Sequence, residues 1–374
     1  MRLSGKMPSK RWVAGTIGLI SACATMIAVT APSAGAAPST TFAPSAQQIA
    51  VRSLAGTAGI STAAALRELA QQPSHVRLLT ALDHQLGNRA AGGYLDAKAG
   101  TVVVNVLDAA TARRVTAAGA VAHQVRYSTT DLRSVKAAFD RLAGVPNTSW
   151  GIDPATDQVA LTISDAAPAA GAARLIAAAH QFGDRVAVRH SHGELRPFVA
   201  DGDEIDTDQW ICSAGFNVNK DGQNYIIDAG HCTQGLPQWN GIGASIDSQF
   251  PGSDYGLIQN DSGDAPGEVD LYNGSTQPIS SVADATVGEQ ICKSGRTTQV
   301  TCGSVSALDQ TVDYGNGDVV DGLVQTDVQA GEGDSGGPWF DGSTGLGTTS
   351  GGDSSTTYFQ PLSAAMSAYG VSLN

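Results

Sequence analysis

The chain changes character abruptly near residue 199, and any fold must accommodate that break. From Val199 onward there are three basic residues, Lys220, Lys293 and Arg296, against 24 acidic ones, a charge of −21. The remaining 19 basic and 11 acidic residues put 1–198 at +8, and the two halves sum to −13. Two units of opposite charge attract each other. The acidic unit is too poor in cations to bind nucleic acid, which needs lysine and arginine against phosphate. A length of 374 residues leaves room for both units to be domains.

Cysteine usage breaks at the same place. Cys23 lies in an N-terminal apolar run, whereas Cys212, Cys232, Cys292 and Cys302 all follow the break. An even set confined to one half fits disulfides formed in an oxidising compartment. Separations of 20 and 10 residues match no common zinc pattern, so no metal is expected. Four cysteines allow three connectivities. The sequence-near pairs Cys212–Cys232 and Cys292–Cys302 are the expected ones, each worth about 3 kcal/mol.

The start of the chain fits export. Residues 1–12 carry Arg2, Lys6, Lys10 and Arg11 and no acid, residues 13–30 are apolar, and Ala34-Gly35-Ala36 follows. That order reads as a secretory signal peptide over 1–36 and a secreted, extracellular product with no membrane segment in its mature form. After a Pro/Ser/Thr/Ala linker, residues 46–88 read as two or three helices. Strands are expected at Thr101–Val106, 120–127, Gln158–Ile163 and Arg185–Arg189. Helices are expected at 109–118, 129–143 and 167–181. Strand–helix–strand thus occurs twice, a weak internal repeat in an α/β unit spanning 37–198. Beyond 199 the helical period vanishes. Short apolar runs such as Tyr225-Ile226-Ile227, Tyr255–Ile258 and Gly322–Thr326 alternate with Gly/Asn/Asp/Ser turns, the pattern of an all-β barrel or sandwich, and a last helix is expected at 361–369.

Chemistry concentrates in Gly331-Glu332-Gly333-Asp334-Ser335-Gly336-Gly337-Pro338. Glycines there let a serine sit on a tight turn with backbone N–H groups close by, which suits acyl transfer: a nucleophile, and donors for the oxyanion. Serine needs a base at neutral pH. The acidic half holds one histidine, His231, in Ala229-Gly230-His231-Cys232. Histidine in turn wants a carboxylate. Asp254, which opens the apolar run Tyr255–Ile258, is the best candidate, while Asp247, Asp261 and Asp270 read as solvated turn acids. Gly333–Gly337 also matches the G-x-S-x-G elbow of α/β-hydrolases, but those enzymes place histidine after serine, and none follows Ser335 here. The order His231, Asp254, Ser335 is the chymotrypsin-type order. Asp201-Gly202-Asp203-Glu204-Ile205-Asp206 superficially resembles a calcium loop, but Ile205 and the lack of a terminal glutamate break the pattern.

With these residues in view, the chain resembles the streptogrisin/α-lytic-type bacterial serine proteases, made as preproproteins. The resemblance rests on Cys212–Val218, Ala229–Thr233, Phe250–Gly256, Cys292–Thr298, Gly333–Pro338 and Thr349–Gly352, and on Ala91–Asp96 followed by Thr101–Val106. It implies two six-stranded antiparallel β-barrels over 199–374, with the site in the cleft between them, preceded by a pro region over 37–198 that acts as folding catalyst and then inhibitor. It makes Ser335 the nucleophile, His231 the general base and acid, and Asp254 its orienter. The N–H groups of Gly333 and Ser335 would form the oxyanion hole, and Ser350, Gly351 and Gly352 would pair with the substrate backbone. No cofactor is implied. The expected partners are peptide substrates and the chain's own pro region, with the protease a monomer. The family often has a third disulfide beside the specificity pocket. Here Gln329 and a cysteine-free Gly352–Thr357 loop stand in its place, so a looser pocket wall is expected. Lys293 stands where relatives carry an arginine and should pair with Asp334. Thr349 replaces the histidine of glutamate-specific relatives. The pocket resembles those taking large apolar or aromatic P1 residues, and Glu332 beside it should disfavour acidic substrates. Cleavage after Phe198 would supply a P1 of the first kind.

Overall fold

The computed structural model describes residues 41–197, 203–207 and 211–374, with the side chains of 196 and 197 excepted. The expected signal peptide, the Phe198–Val199 bond and the start of the calcium-like loop lie outside them. Of that loop, Glu204 pairs with Arg296 at 2.5 Å, and Asp206 accepts from Asn240.

The helices Pro44–Ala58 and Thr62–Leu86 open the described chain. A three-stranded sheet follows, in the order Ala90–Asp96, Thr101–Val106, Val121–Gln124, with helix Ala109–Ala117 between its last two strands. The same order then repeats: helix Thr129–Asp140, strands Thr148–Asp153 and Gln158–Ser164, helix Ala169–Phe182, strand Val186–Ser191. In each set the first two strands pair antiparallel and the last two parallel. The repeat expected from sequence is therefore longer by one strand per unit. Ala90–Asp96 and Thr148–Asp153 escape the periodicity because glycines interrupt both runs. At Gly151 the reason is a close approach: a Cβ there would lie 1.6 Å from the Gln310 amide. Ser128 caps the helix at Thr129 through a reciprocal capping box with Asp131.

Beyond residue 210 nearly everything is strand. One six-stranded sheet runs Gln238–Trp239, Gly243–Gln249, Tyr255–Gln259, Gln223–Asp228, Phe216–Lys220, Ser372–Leu373. A second set runs Gln290–Lys293, Pro338–Asp341, Thr344–Gly352, Thr357–Pro361, Val319–Thr326, Thr301–Asp313, and its first and last members also pair with each other. The expected runs at 225–227, 255–258 and 322–326 fall inside these strands, and the last helix is Leu362–Tyr369. The disulfides are Cys212–Cys232 and Cys292–Cys302, the sequence-near pairing. No single helix among the described residues is long and apolar enough to cross a membrane.

The two halves share one sheet. Thr148–Asp153 adds antiparallel to the long strand Thr301–Asp313, with Thr311 opposite Trp150 and Asp313 opposite Thr148. Buried Lys136 reaches across to Asp321 at 2.7 Å and Thr311 at 3.0 Å. At the far side Phe42, Ala46, Ala50 and Leu54 enter a core with Phe216, Ile227, Phe340 and Leu362. Gln72 in the second helix grips the C-terminal half by three bonds. Its amide donates to Gln290 O and Asp341 Oδ2, and its carbonyl accepts from Gln290 N.

Burial pushes the Asp341 carboxyl up to about 6, although the Gln72 amide and Glu289 both hydrogen-bond to it. Burial, then the charge of Asp341, raises Glu289 as well. A carboxyl that keeps its proton in the folded chain contributes fully below about pH 4, its unfolded value, and loses that contribution as pH rises through about 6. Asp341→Asn should therefore gain stability on its parent between pH 4 and pH 7. Chemical unfolding of the full chain in a Ser335→Ala background checks this. Parallel midpoints across that range would show that the pair does not hold its proton.

Candidate active site

His231 lies in a one-turn helix, Gly230–Thr233, directly after strand Gln223–Asp228, and Cys232 beside it is disulfide-bonded. Asp254 immediately precedes strand Tyr255–Gln259, hydrogen-bonded in register to Gln223–Asp228. Sheet pairing thus sets His231 and Asp254 side by side. Ring nitrogen Nδ1 lies 3.0 and 2.9 Å from the two Asp254 oxygens, and the His231 backbone N–H donates to Asp254 Oδ1 at 2.9 Å. On the other side of the ring, Nε2 lies 2.7 Å from Ser335 Oγ. The three residues that sequence order singled out are one hydrogen-bonded chain.

Asp254 is fully buried. Burial alone would raise its carboxyl. The charge and hydrogen bonds of His231, with a bond from Ser350 Oγ at 2.6 Å, outweigh that and hold it below the usual carboxylate range. Ser350 uses its proton on Asp254, so at 3.0 Å it accepts from Tyr314 OH, whose burial keeps it protonated. Gln360 Oε1 accepts from the Asp254 N–H. Sequence reasoning assigned Ser350 to the substrate strand and missed this bond, as it missed Tyr314 and Gln360. The available signal was weak: Ser350 follows two threonines in a strand with one apolar side chain, ahead of two glycines.

The Ser335 turn is fixed from below by Asp334. Its carboxylate takes Lys293 Nζ at 2.8 Å, Thr298 Oγ1 at 2.6 Å and the N–H groups of Gly331, Thr297 and Thr298. Lys293 and Asp334 are both wholly buried, so the expected pair exists in its costliest setting and is answered by a full set of donors. Burial lowers Lys293, opposed by Asp334. Gly333 and Gly336 take φ of +116° and +82°, conformations that glycine adopts without strain. The N–H groups of Asp334, Gly336 and Gly337 bond to Gly331, Thr349 and Asp334 carbonyls. Those of Gly333 and Ser335 have no partner among the described residues. Finally, Arg196 and Pro197 pair antiparallel with Gly352 and Gly351, so the end of the N-terminal half lies along the strand that leads from Ser350.

Two family models match the N-terminal half, the α-lytic protease pro N-terminal model over residues 63–125 and the α-lytic protease prodomain model over 127–183. Streptogrisin-D of Streptomyces griseus is 45% identical over 79% of this chain and 79% of its own length. Serine protease 1 of Streptomyces fradiae is 38% identical over 86% of this chain and 96% of its own. Glutamyl endopeptidase 2 of Streptomyces griseus is 47% identical over 43% of this chain and 92% of its own. The chain is a chymotrypsin-like serine endopeptidase carrying a pro region. Within that class it belongs to the streptogrisin-type bacterial proteases.

Removing the Ser350 hydroxyl leaves Asp254 with one donor fewer in a dry site, where a bond to a charged group is worth about 1.5–3 kcal/mol. Ser350→Ala should lower kcat roughly tenfold or more, with KM changing less. Steady-state kinetics on a peptide amide substrate test it. An unchanged kcat would mean that the bond does not steady the ionised carboxylate.

Proposed function

We propose that the chain is a secreted precursor: signal peptide 1–36, pro region 37–198 and mature protease 199–374, the last built as two six-stranded barrels and active as a monomer. The observation that carries the catalytic part is the continuous Ser335–His231–Asp254 hydrogen-bonded chain. In this reading Ser335 Oγ attacks the scissile carbonyl carbon while His231 Nε2 takes its proton. The oxyanion is received by the N–H groups of Gly333 and Ser335. His231 then gives the proton to the leaving amine, and the C–N bond breaks to leave an acyl-enzyme. Water repeats the sequence: His231 takes its proton, the ester opens, and Ser335 is restored. Asp254 holds the Nδ1–H tautomer and offsets the imidazolium charge. Losing one oxyanion donor typically costs about 100–1,000-fold in rate.

The register of Arg196 and Pro197 on Gly352 and Gly351 supports the assignment of Ser350–Gly352 as the strand that substrate joins. It equally supports a pro region whose own end occupies that strand until cleavage after Phe198. For the P1 pocket, the segments Gln329–Gly333 and Gly351–Thr357 contain no lysine, arginine or histidine. Thr349 spends its hydroxyl on Gly337 O and accepts from Trp339 Nε1, so it offers nothing to a carboxylate. Asp353 is used to close its own turn, accepting from Ser355 and Thr356 N–H groups. A large apolar or aromatic P1 fits such a lining, and a glutamate P1 does not.

A fluorophosphonate should label Ser335 of the processed enzyme, and the mature N-terminus should be Val199. Asp254→Asn should cut kcat by roughly 10⁴-fold through the wrong tautomer. kcat/KM should fall on acidification as His231 is protonated. No labelling after the pro region is removed would sink the catalytic reading. A library profile led by glutamate would overturn the pocket assignment alone.

A further inference from the structure

One buried acid at the site has no part in this mechanism. Asp228 ends the strand Gln223–Asp228, three residues before His231, and is wholly shielded from solvent. Its Oδ1 accepts from the Ala229 N–H at 2.8 Å, and the Gly215 N–H also bonds to the carboxyl. Its Oδ2 has no hydrogen-bond partner among the described residues. The same oxygen as accepts from Ala229, Oδ1, is pressed against Gly336, the residue after the nucleophile. A Cβ on Gly336 would lie 2.3 Å from Oδ1 and 2.4 Å from Ser213 O. Ser213 itself donates its N–H to Ser335 O at 2.8 Å. The strand that delivers the base and the turn that delivers the nucleophile therefore meet on one side chain.

We propose that Asp228 is a positioning residue for acyl transfer, its carboxyl group the spacer that sets the His231 segment against the Ser335–Gly336 turn. The inference rests on the triad reading above. The titratable groups facing Asp228 are His231 and Asp254. Asp334, on the same turn as Gly336, is turned to Lys293. Cys212 and Cys232 lie close enough for their sulfurs to come within 4.8 Å of a carboxyl oxygen, but they are joined to each other and bind no metal. Among the described residues no lysine or arginine answers the carboxyl, which favours the neutral acid. Burial raises it well above the ordinary range, against the backbone bond from Ala229 and the pull of His231. The neutral form matters to the chemistry. The carboxylate charge of Asp254, hydrogen-bonded to His231, is then not joined by a second one from Asp228.

The test uses the full chain carrying Asp228→Ala or Asp228→Asn, processed and compared with the parent. Both kcat and KM are read from pH 5 to pH 9, and Ser335 is labelled in each. Asp228→Ala should lower kcat about 10–100-fold with little change in KM, as expected when reacting groups drift by a fraction of an ångström. Asp228→Asn, equal in shape and uncharged, should regain most of that loss and keep the acid limb of kcat/KM within about 0.3 pH unit of the parent. Were Asp228 an ionised partner of His231, removing its charge would move that limb down by about one unit or more. Such a movement, or a parental kcat in Asp228→Ala, overturns the proposal. If Asp228→Ala does not fold, the Asp228→Asn profile decides alone. A parent enzyme not labelled at Ser335 would instead bring down the triad reading on which this rests.

Discussion

The bonds that answer the buried carboxylate of Asp254 also tie the two sheets of the C-terminal half together. Asp254 belongs to the first sheet, at the start of Tyr255–Gln259. Ser350, which donates to that carboxylate, and Gln360, which accepts from the Asp254 N–H, come from strands of the second, Thr344–Gly352 and Thr357–Pro361. An unpaired carboxylate in such a place would be prohibitively expensive, so the sheets are held where donors reach it. His231 and Ser335 come from opposite sides of the same contact. The distances along the Ser335–His231–Asp254 chain are thus a by-product of satisfying one charge. The neighbouring acids show the other two solutions open to a buried carboxyl. Asp334 is matched by the Lys293 cation and four further hydrogen-bond donors. Asp228 has backbone donors and, among the described residues, no cation, and burial pushes its carboxyl well above the usual range.

The same economy explains why the halves are so closely joined. Thr301–Asp313 is 13 residues long; its start pairs with Gln290–Lys293, but without a further strand Leu308–Asp313 would present an open row of backbone groups beyond the pairing with Val319–Thr326. Exposed edges invite unwanted pairing. Here the edge is completed by Thr148–Asp153 and sealed by Lys136. Strands so distant in sequence meet slowly, because loop closure must precede any contact that rewards it. A preformed edge from the N-terminal half offers a template, which accords with the proposed role of that half in folding. The charge split of +8 and −21 contributes less to specific contact than expected. The seam is chiefly backbone pairing and apolar packing, with Lys136 as its buried cation.

Sequence legibility followed the number of alternatives at each position. His231 could be read because the acidic half offered no other histidine, and Ser335 because its turn is dense in glycine. Asp254 was harder, since 24 acids competed, and its place before an apolar run decided the matter. The second rank of the site was not legible. Ser350, Tyr314, Gln360 and Asp228 act through neighbours 36 to 108 residues away, and no local period marks them. Gln72 is the extreme instance. A glutamine in a helix reads as solvated surface until a strand edge 218 residues on uses its amide as a backbone substitute.

The missing third disulfide shows how such a tie can be replaced without covalent chemistry. Its absence suggested a loose wall beside the pocket. In the structure the two segments are joined by buried threonines. Thr357 Oγ1 donates to Val328 O at 2.7 Å, and Thr326 Oγ1 donates to Thr357 O at 3.1 Å while accepting from the Val328 N–H. One residue farther out, Gln329 O takes the Thr301 hydroxyl at 2.7 Å. Each such bond contributes only about 1 kcal/mol net, against about 3 for a cross-link, but in a dry site the cost of leaving a carbonyl unpaired makes each one hard to break. The wall is therefore held by several weak constraints spread over three strands. Such a wall is held at several points, where a single covalent staple would fix it at one.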